Sequence, residues 1–119
     1  MWKGGSVALR IGIDPRQLDA SKISSAIKPV FDRWPVAKAW LYGSVARGEQ
    51  TEYSDIDIAF VPLPNARIGW NILHLQCELE DALDTEVDIQ TAPNRRMASK
   101  RFLREFDRDK VVVYERSAE

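Results

Sequence analysis

Two aspartates separated by one residue, Asp55 and Asp57, are the first candidates for chemistry in this sequence. On a β-strand, side chains at positions i and i+2 project from the same face, with Cα atoms roughly 7 Å apart. Two carboxylates held that close repel each other, and one pKa rises unless a cation neutralises the pair. A hard divalent ion such as Mg²⁺, bound by carboxylates and substrate phosphates, would remove this conflict. A bare Asp-x-Asp pair is more often solvated surface, so other residues must accompany a functional one.

The dipeptide Gly43-Ser44 has the composition of a phosphate-binding turn. It follows a predicted strand and opens a short helical turn, where free backbone N–H groups favour an anion. Glycine lets a ligand approach the backbone, and the serine hydroxyl can donate to a phosphate oxygen. Ten residues separate Ser44 from Asp55, and this combination of turn, spacing and acidic strand favours a joint phosphate and metal site.

A third carboxylate, Asp88, lies in a second short acidic strand pattern. Val87 and Ile89 alternate with it, so Asp88 shares the face of Asp55 and Asp57 if the two strands are neighbours. The sequence therefore predicts three carboxylates that converge on divalent cations opposite a serine-bearing phosphate turn.

The elements that must position these residues alternate between strands and helices, which predicts a two-layer α/β domain. The clearest strand is Asp55–Val61, where Ile56 and Ile58 alternate with the aspartates and face the core. The remaining elements predicted in this region are strands at Val36–Tyr42, Glu86–Thr91 and Val111–Tyr114, a helical turn at Val45–Arg47, and helices at Trp70–Leu83 and Arg95–Asp107.

Residues 1–35 are expected to be the N-terminal part of a single domain, and residues 36–119 the core that carries the acidic motifs. Ser6–Ile13 alternates apolar and polar residues as an edge strand does. Asp14-Pro15 is a helix-start signal, and apolar residues recur near helical spacing from Leu18 to Trp34. Pro29 lies inside that stretch and predicts either a kink or two short helices.

Composition is that of one globular domain: 119 residues, 45% of them hydrophobic and 29% charged. A net charge of −1 and a pI near 5.9 provide no general attraction to duplex nucleic acid. No apolar run reaches the roughly 20 residues of a membrane span, and we expect no signal peptide and no membrane association. The single cysteine, Cys77, excludes an internal disulfide and a thiolate zinc site, so a cytoplasmic location is expected.

Taken together, the motifs resemble those of the minimal nucleotidyltransferases of the DNA polymerase β superfamily. The resemblance rests on Leu41–Gly48 followed by Tyr53–Ile58, and it extends through Glu86–Ile89 to Val111–Tyr114. It implies a mixed β-sheet flanked by helices on one side, α+β in class. The implied activity is transfer of a nucleoside monophosphate from a nucleoside triphosphate to a hydroxyl group. Residues 1–35 match that family only in having a helix before the first strand.

The resemblance also implies roles for the acidic residues. Asp55 and Asp57 would bind the Mg²⁺ ions that hold the triphosphate. Asp88 would complete a metal site and help to deprotonate the attacking hydroxyl. Such roles agree with general chemistry, because phosphoryl transfer depends on positioning and charge neutralisation more than on covalent catalysis. Two metal ions about 4 Å apart can activate the entering oxygen and stabilise the leaving pyrophosphate.

For the nucleotide, the resemblance implies that Gly43 and Ser44 bind the β- and γ-phosphates and that Arg47 contacts the triphosphate. ATP would be the nucleotide donor. Because the chain has only the core of the fold, a second protein would supply the acceptor or complete the site. The family suggests a toxin–antitoxin pair, in which this chain is the antitoxin and adds AMP to a tyrosine of a HEPN-type ribonuclease toxin.

Two other functions stay open. The chain could be a non-catalytic antitoxin that neutralises its partner by binding, or a transferase acting on a small-molecule hydroxyl such as that of an aminoglycoside. The base of the nucleotide, the number of groups transferred and a homo-oligomeric state are not fixed by the sequence.

Several other residues have a structural explanation beside a functional one. Arg67 and His74, with six residues between them, match the Arg…His spacing of HEPN ribonucleases, but a lone helical histidine is more simply structural. Cys77 is expected to be a buried small hydrophobe. The central tryptophans are expected to anchor the core or an interface; these are Trp34, Trp40 and Trp70. A basic cluster would either bind phosphates or a partner, or form a solvated helix face; it comprises Arg95, Arg96, Lys100, Arg101 and Arg104.

Overall fold

The computed structural model describes residues 18–117. Its elements, in chain order, are α1 (Ala20–Asp32), β1 (Val36–Tyr42), α2 (Gly43–Ala46), β2 (Ile56–Pro62), α3 (Ile72–Leu83), β3 (Val87–Thr91), α4 (Lys100–Asp109) and β4 (Val111–Glu115). The strand predicted at Ser6–Ile13 and the helix-start signal Asp14-Pro15 lie outside the described residues. Within the described range, no helix has the length and hydropathy needed to cross a membrane.

The four strands form one mixed sheet in the order β3-β2-β1-β4. β1 is antiparallel to β2 and to β4, whereas β2 and β3 are parallel. A parallel pair needs a long crossover connection, and α3 lies in the one that joins β2 to β3. The predicted class, α+β with a mixed sheet and flanking helices, is confirmed.

The main core lies on one face of this sheet, under α1 and α3. β2 contributes Ile56, Ile58 and Phe60, all completely buried, as their alternation with the aspartates predicts. α3 contributes the buried stripe Leu75 and Leu79. Burying each such side chain stabilises the fold by about 1.5–3 kcal/mol, and the same alternation places Asp57 on the other face.

That other face is partly covered by α4. Phe102 and Phe106, at positions i and i+4, pack against Tyr42 and Ala59. The ring centroids of Phe106 and Tyr42 are 5.4 Å apart. The expectation that all helices share one side of the sheet is therefore wrong for α4, because its apolar pair needs burial and the main core is already occupied.

Helix α1 runs unbroken through Pro29, so the alternative of two short helices is wrong. Proline has no N–H to offer the carbonyl one turn earlier, that of Ser25, but Ser25 and Pro29 are both exposed. Water can therefore bind the carbonyl that proline leaves unpaired. At its start the helix is capped by Asp19, whose carboxylate accepts from Lys22 N at 2.8 Å.

The other boundaries differ from the predictions mainly at helix starts. The helix predicted from Arg95 begins only at Lys100, because the Ser99 hydroxyl accepts from Phe102 N at 3.0 Å and caps it there. Trp70 lies in a single 3-10 turn that precedes α3. The four strands begin and end within one residue of their predicted limits.

Candidate active site

Asp57 and Asp88 are directly opposed in the register of the parallel strands β2 and β3. Neighbouring strands lie about 4.8 Å apart, so the two side chains emerge side by side from one face. Asp55 precedes the first residue of β2 and is exposed, as is Asp88, whereas Asp57 is half-buried. The condition set by the sequence, that β3 be the neighbour of β2, is met, and the structure brings the three carboxylates to one end of the sheet.

The electrostatics of this cluster centre on Asp57. Burial, followed by the negative charges of Asp88 and Asp55, raises the pKa of Asp57 to about 6, while the charge of Arg47 acts in the opposite direction. The ionised form of such a carboxylate is destabilised, and a bound cation would stabilise it. Perturbed groups of this kind cluster at functional sites.

The predicted phosphate turn stands against the same aspartate. Gly43 is the first residue of α2 and has a φ of +75°. A Cβ built on Gly43 would overlap the Asp57 carboxylate and would lie 3.2 Å from its Cγ. Gly43 therefore adjoins the Asp57 carboxylate directly, and the half-buried Ser44 follows it in α2. Only glycine meets both demands of this position, the left-handed backbone and the missing side chain.

The donor set of the site consists of carboxylate oxygens, the ligands that Mg²⁺ prefers. Within residues 18–117, however, no three His, Cys, Asp or Glu side chains have their donor atoms already gathered for a metal ion. Burial first, and then repulsion from Asp88 and Asp55, disfavours the ionised form of Asp57, as its raised pKa reflects. The residues present fit a divalent cation by their chemistry and strand register, and the assignment of metal ligands stays a prediction.

Arg47, which follows α2, is held at the edge of the site by a close neighbour in sequence, Glu49, and by a distant one, Asp109. Its Nη1 donates to Asp109 Oδ2 at 2.9 Å and its Nε to Glu49 Oε1 at 2.6 Å. The Asp109 side chain is only 6% exposed, and hydrogen bonds from Arg108 and then Arg47 lower the pKa of Asp109 to about 2. Asp109 thus fixes Arg47 where its charge acts on Asp57. Sequence reasoning missed Asp109, because nothing in the sequence relates two residues separated by this distance.

Tyr42 is a second residue that the sequence did not reveal. It is opposite Asp57 in the register of β1 and β2, and its hydroxyl accepts a hydrogen bond from Gln90 Nε2 of β3. Burial, followed by the charges of Asp57 and Asp88, raises the pKa of Tyr42 to about 12. The phenol therefore stays uncharged and borders the site. The one signal in the sequence that could have suggested Tyr42 is its position immediately before Gly43.

Known proteins share the sequence pattern and the fold of this chain. Residues 25–119 match the family described as polymerase beta nucleotidyltransferase. The chain belongs to this family. A relative from Methanocaldococcus jannaschii, named as a protein adenylyltransferase, is 36% identical over 74 residues, which cover 62% of this chain and 78% of the relative.

Two solved structures also resemble this nucleotidyltransferase. A toxin–antitoxin structure with AMP-PNP is 25% identical with a TM-score of 0.60, and the match covers 84% of this chain and 76% of that one. A point mutant of the toxin–antitoxin MntA–HpeT is 26% identical with a TM-score of 0.58, over 84% of this chain and 75% of that one. The fold and the family together identify the chain as a nucleotidyltransferase.

Other candidate residues of the nucleotidyltransferase lie away from the carboxylates. Cys77 is exposed on α3, so the expectation that it is buried is wrong. Trp70 is 88% exposed and does not anchor the core. Trp34 is partly buried and its Nε1 donates to Glu78 Oε1 at 3.3 Å. His74 is exposed on α3, in keeping with the simpler structural explanation. Cys77 and His74 are exposed because α3 turns the stripe through Leu75 and Leu79 to the core.

The basic cluster is partly neutralised by its neighbours. Arg95 forms a bidentate pair with Asp107, at 2.8 and 2.7 Å, and Arg101 pairs with Glu105 at 3.2 Å. All five basic side chains are exposed, and α4 presents Phe102 rather than these residues to the sheet. The solvated helix face is therefore the better explanation of the cluster.

Proposed function

We propose that this nucleotidyltransferase is a Mg²⁺-dependent protein adenylyltransferase that moves AMP from ATP to a tyrosine hydroxyl of a partner protein. The observation that carries the proposal is the direct opposition of Asp57 and Asp88, with Gly43 packed against the Asp57 carboxylate. In this arrangement the predicted phosphate turn is adjacent to one of the predicted metal ligands, because no side chain fits between Gly43 and Asp57. The M. jannaschii relative, named as a protein adenylyltransferase, supports the choice of acceptor and nucleotide.

In this proposal each side chain has a stated task. Gly43 exposes backbone N–H groups, and Ser44 donates its hydroxyl, to the β- and γ-phosphates. Asp55 and Asp57 hold the cations, and Asp88 also accepts the proton of the attacking hydroxyl. When bound, Mg²⁺ neutralises the triphosphate and stabilises the charge that develops on the leaving pyrophosphate.

Arg47 assists from the edge of the site. Its guanidinium is planar and carries a fork of donors that matches phosphate oxygens. Asp109 and Glu49 restrain it, so it would meet the triphosphate with little loss of side-chain entropy. Tyr42 contributes a neutral wall beside Asp57 that limits access of water.

The proposed partner is a helical HEPN-type ribonuclease toxin, which makes the chain its antitoxin. The toxin–antitoxin structures that resemble this chain at 25% and 26% identity support this partner class. The exposed Trp70, in the turn before α3, and Leu73, in the first turn of α3, provide apolar surface of the kind that protein interfaces use. AMP attached to a tyrosine of the toxin would neutralise the toxin covalently.

A transfer assay tests the proposal. The chain and its helical partner are purified separately, then mixed with Mg²⁺ and α-labelled ATP, and the partner is analysed by mass spectrometry. We expect one or more AMP units on a partner tyrosine, and loss of transfer by the double variant Asp55→Asn/Asp57→Asn. The matched control is Asp81→Asn, which makes the same change on the exposed surface of α3.

Two results would contradict it. Undiminished transfer by the double variant would remove the carboxylates from the chemistry. A stable complex that protects against the toxin with no AMP added, and that the double variant forms equally well, would favour an antitoxin that acts by binding alone.

A further inference from the structure

The three tyrosines of the chain differ sharply in their surroundings. Tyr42 and Tyr114 are buried, and their hydroxyls are engaged with Gln90 and with Asp32, respectively. Tyr53 is 86% exposed. Among the described residues its hydroxyl has no hydrogen-bond partner, although its backbone N–H is bonded to Thr51. Tyr53 is thus the one tyrosine whose hydroxyl is available to a reagent.

Tyr53 also stands beside the carboxylates. Only Ser54 lies between Tyr53 and Asp55, so the Cα atoms of these two residues are at most about 7 Å apart. Both residues line an open cavity of about 210 Å³, together with Glu52, Ser54 and Glu86. The cavity lies just before the start of β2, beside Asp55, and Asp57 and Asp88 are opposed near that same end of β2 and β3.

The turn that carries Tyr53 is held in place. Thr51 N donates to Ser54 Oγ at 2.8 Å, and Ser54 N donates to the Thr51 carbonyl at 3.1 Å. The backbone is therefore fixed while the phenol, with almost all of its surface in solvent, can change rotamer. Ser54 cannot serve as readily, because its hydroxyl is already used inside the turn.

We propose that Tyr53 is an adenylylation site within the chain itself, modified by the active site of the same molecule. The inference rests on the proposed function. The Tyr53 hydroxyl oxygen forms a bond to the α-phosphorus of ATP, and the bond from that phosphorus to the β-phosphate oxygen breaks. Pyrophosphate leaves, and the phenolic proton passes to water. The product is a phosphodiester between Tyr53 and AMP.

Proximity is the reason for modification within one molecule. A reactant tethered beside the reacting centre has a much higher effective concentration than one that must diffuse to it. The rate constant for self-modification should therefore be independent of protein concentration. It should also not require the partner protein.

The test uses the intact chain without any partner. Wild-type protein, Tyr53→Phe and Asp55→Asn/Asp57→Asn are each incubated with Mg²⁺ and α-labelled ATP, digested, and mapped by mass spectrometry. We expect one AMP on the peptide that contains Tyr53 in the wild type and none in either variant. A tenfold dilution should leave the rate constant unchanged. Thermal unfolding of Tyr53→Phe should match that of the wild type, because the side chain is exposed.

Separate results overturn the separate claims. If the wild-type chain labels a partner tyrosine but never its own Tyr53, this inference fails and the proposed function survives. Label that persists in Tyr53→Phe, or a rate constant that falls in proportion to dilution, also overturns it. If neither Tyr53 nor the partner is labelled, the proposed function fails with it.

Discussion

The carboxylate of Asp57 occupies the space that a side chain on Gly43 would need. The end of β1 and the start of β2 are therefore packed so closely that the predicted phosphate turn and the acidic strand form one unit. Binding groups held on rigid elements keep their geometry with little reorganisation, which transfer chemistry requires.

Replacing Gly43 with alanine should damage this unit. The left-handed backbone costs about 1–2 kcal/mol for an alanine, and the new methyl group must displace the Asp57 carboxylate. We expect a loss of about 10²-fold in nucleotidyl transfer, measured with α-labelled ATP. Gly48→Ala is the matched control, since Gly48 has a φ of +72° but nothing within 4 Å of an added Cβ. Similar loss of activity in both variants would mean that backbone strain alone is responsible.

Asp57→Asn should stabilise the free protein at high pH. The pKa of Asp57 is raised to about 6 from 3.8, so the folded state binds this proton more tightly than the unfolded state. The stabilisation that Asp57 provides through this proton is therefore fully present below about pH 4. It is lost as the pH rises through 6. After allowance for the partial exposure of Asp57, we expect the free energy of unfolding of Asp57→Asn at pH 8 to exceed that of the wild type by about 1–2 kcal/mol.

The measurement is denaturant unfolding of both proteins in metal-free buffer from pH 3.5 to 8. The difference should become small at the acid end, where Asp57 is protonated in the folded state and mostly protonated in the unfolded state. A variant that is equally or less stable than wild type at pH 8 would show that burial and the acidic neighbours do not destabilise the ionised form of Asp57.

Mg²⁺ with AMP-PNP should reverse this order of stability. A ligand at about 100 times its Kd stabilises a folded protein by about 2.7 kcal/mol. We expect a rise in Tm of the wild type at pH 8 and a much smaller one at pH 5, where protons compete for Asp57. Asp55→Asn/Asp57→Asn should show no shift with Mg²⁺. An equal shift in that variant would place the cation elsewhere.

Asp109→Asn should weaken nucleotide binding through Arg47. The amide keeps the size of the side chain but removes the charge that restrains the guanidinium at 2.9 Å. We expect KM for the nucleotide to rise about three- to tenfold, roughly 1 kcal/mol, with a smaller change in kcat. The control is Asp107→Asn on the same helix, which breaks the pairs with Arg95 and Lys110 away from the site. If the two variants raise KM equally, Asp109 has no positioning role.

Much of this site could be predicted from local patterns. Alternation along β2 requires Ile56 and Ile58 to be buried and Asp57 to face away, because neighbouring side chains of a strand point to opposite faces. The same rule places Asp88 once β3 is known to adjoin β2. Adjacency itself depends on the crossover through α3, which alternation does not determine.

The residues that sequence reasoning missed are those fixed by tertiary contacts. Asp109 contacts Arg47 only because α4 packs on the face that carries the carboxylates. That packing depends on Phe102 and Phe106, an apolar pair that is inconspicuous among the basic residues of the helix. Cys77 was expected in the interior as a small apolar residue, but α3 buries the stripe through Leu75 and Leu79 and leaves Cys77 exposed.

A crystal structure with Mn²⁺ and AMP-PNP tests the central claim most directly, because the anomalous signal of manganese locates the cation without reference to activity. We predict a peak in contact with carboxylate oxygens of Asp55 and Asp57, with the β- and γ-phosphates against Gly43 and Ser44. Density for the nucleotide away from that turn, or manganese bound with no contact to either aspartate, would contradict the account.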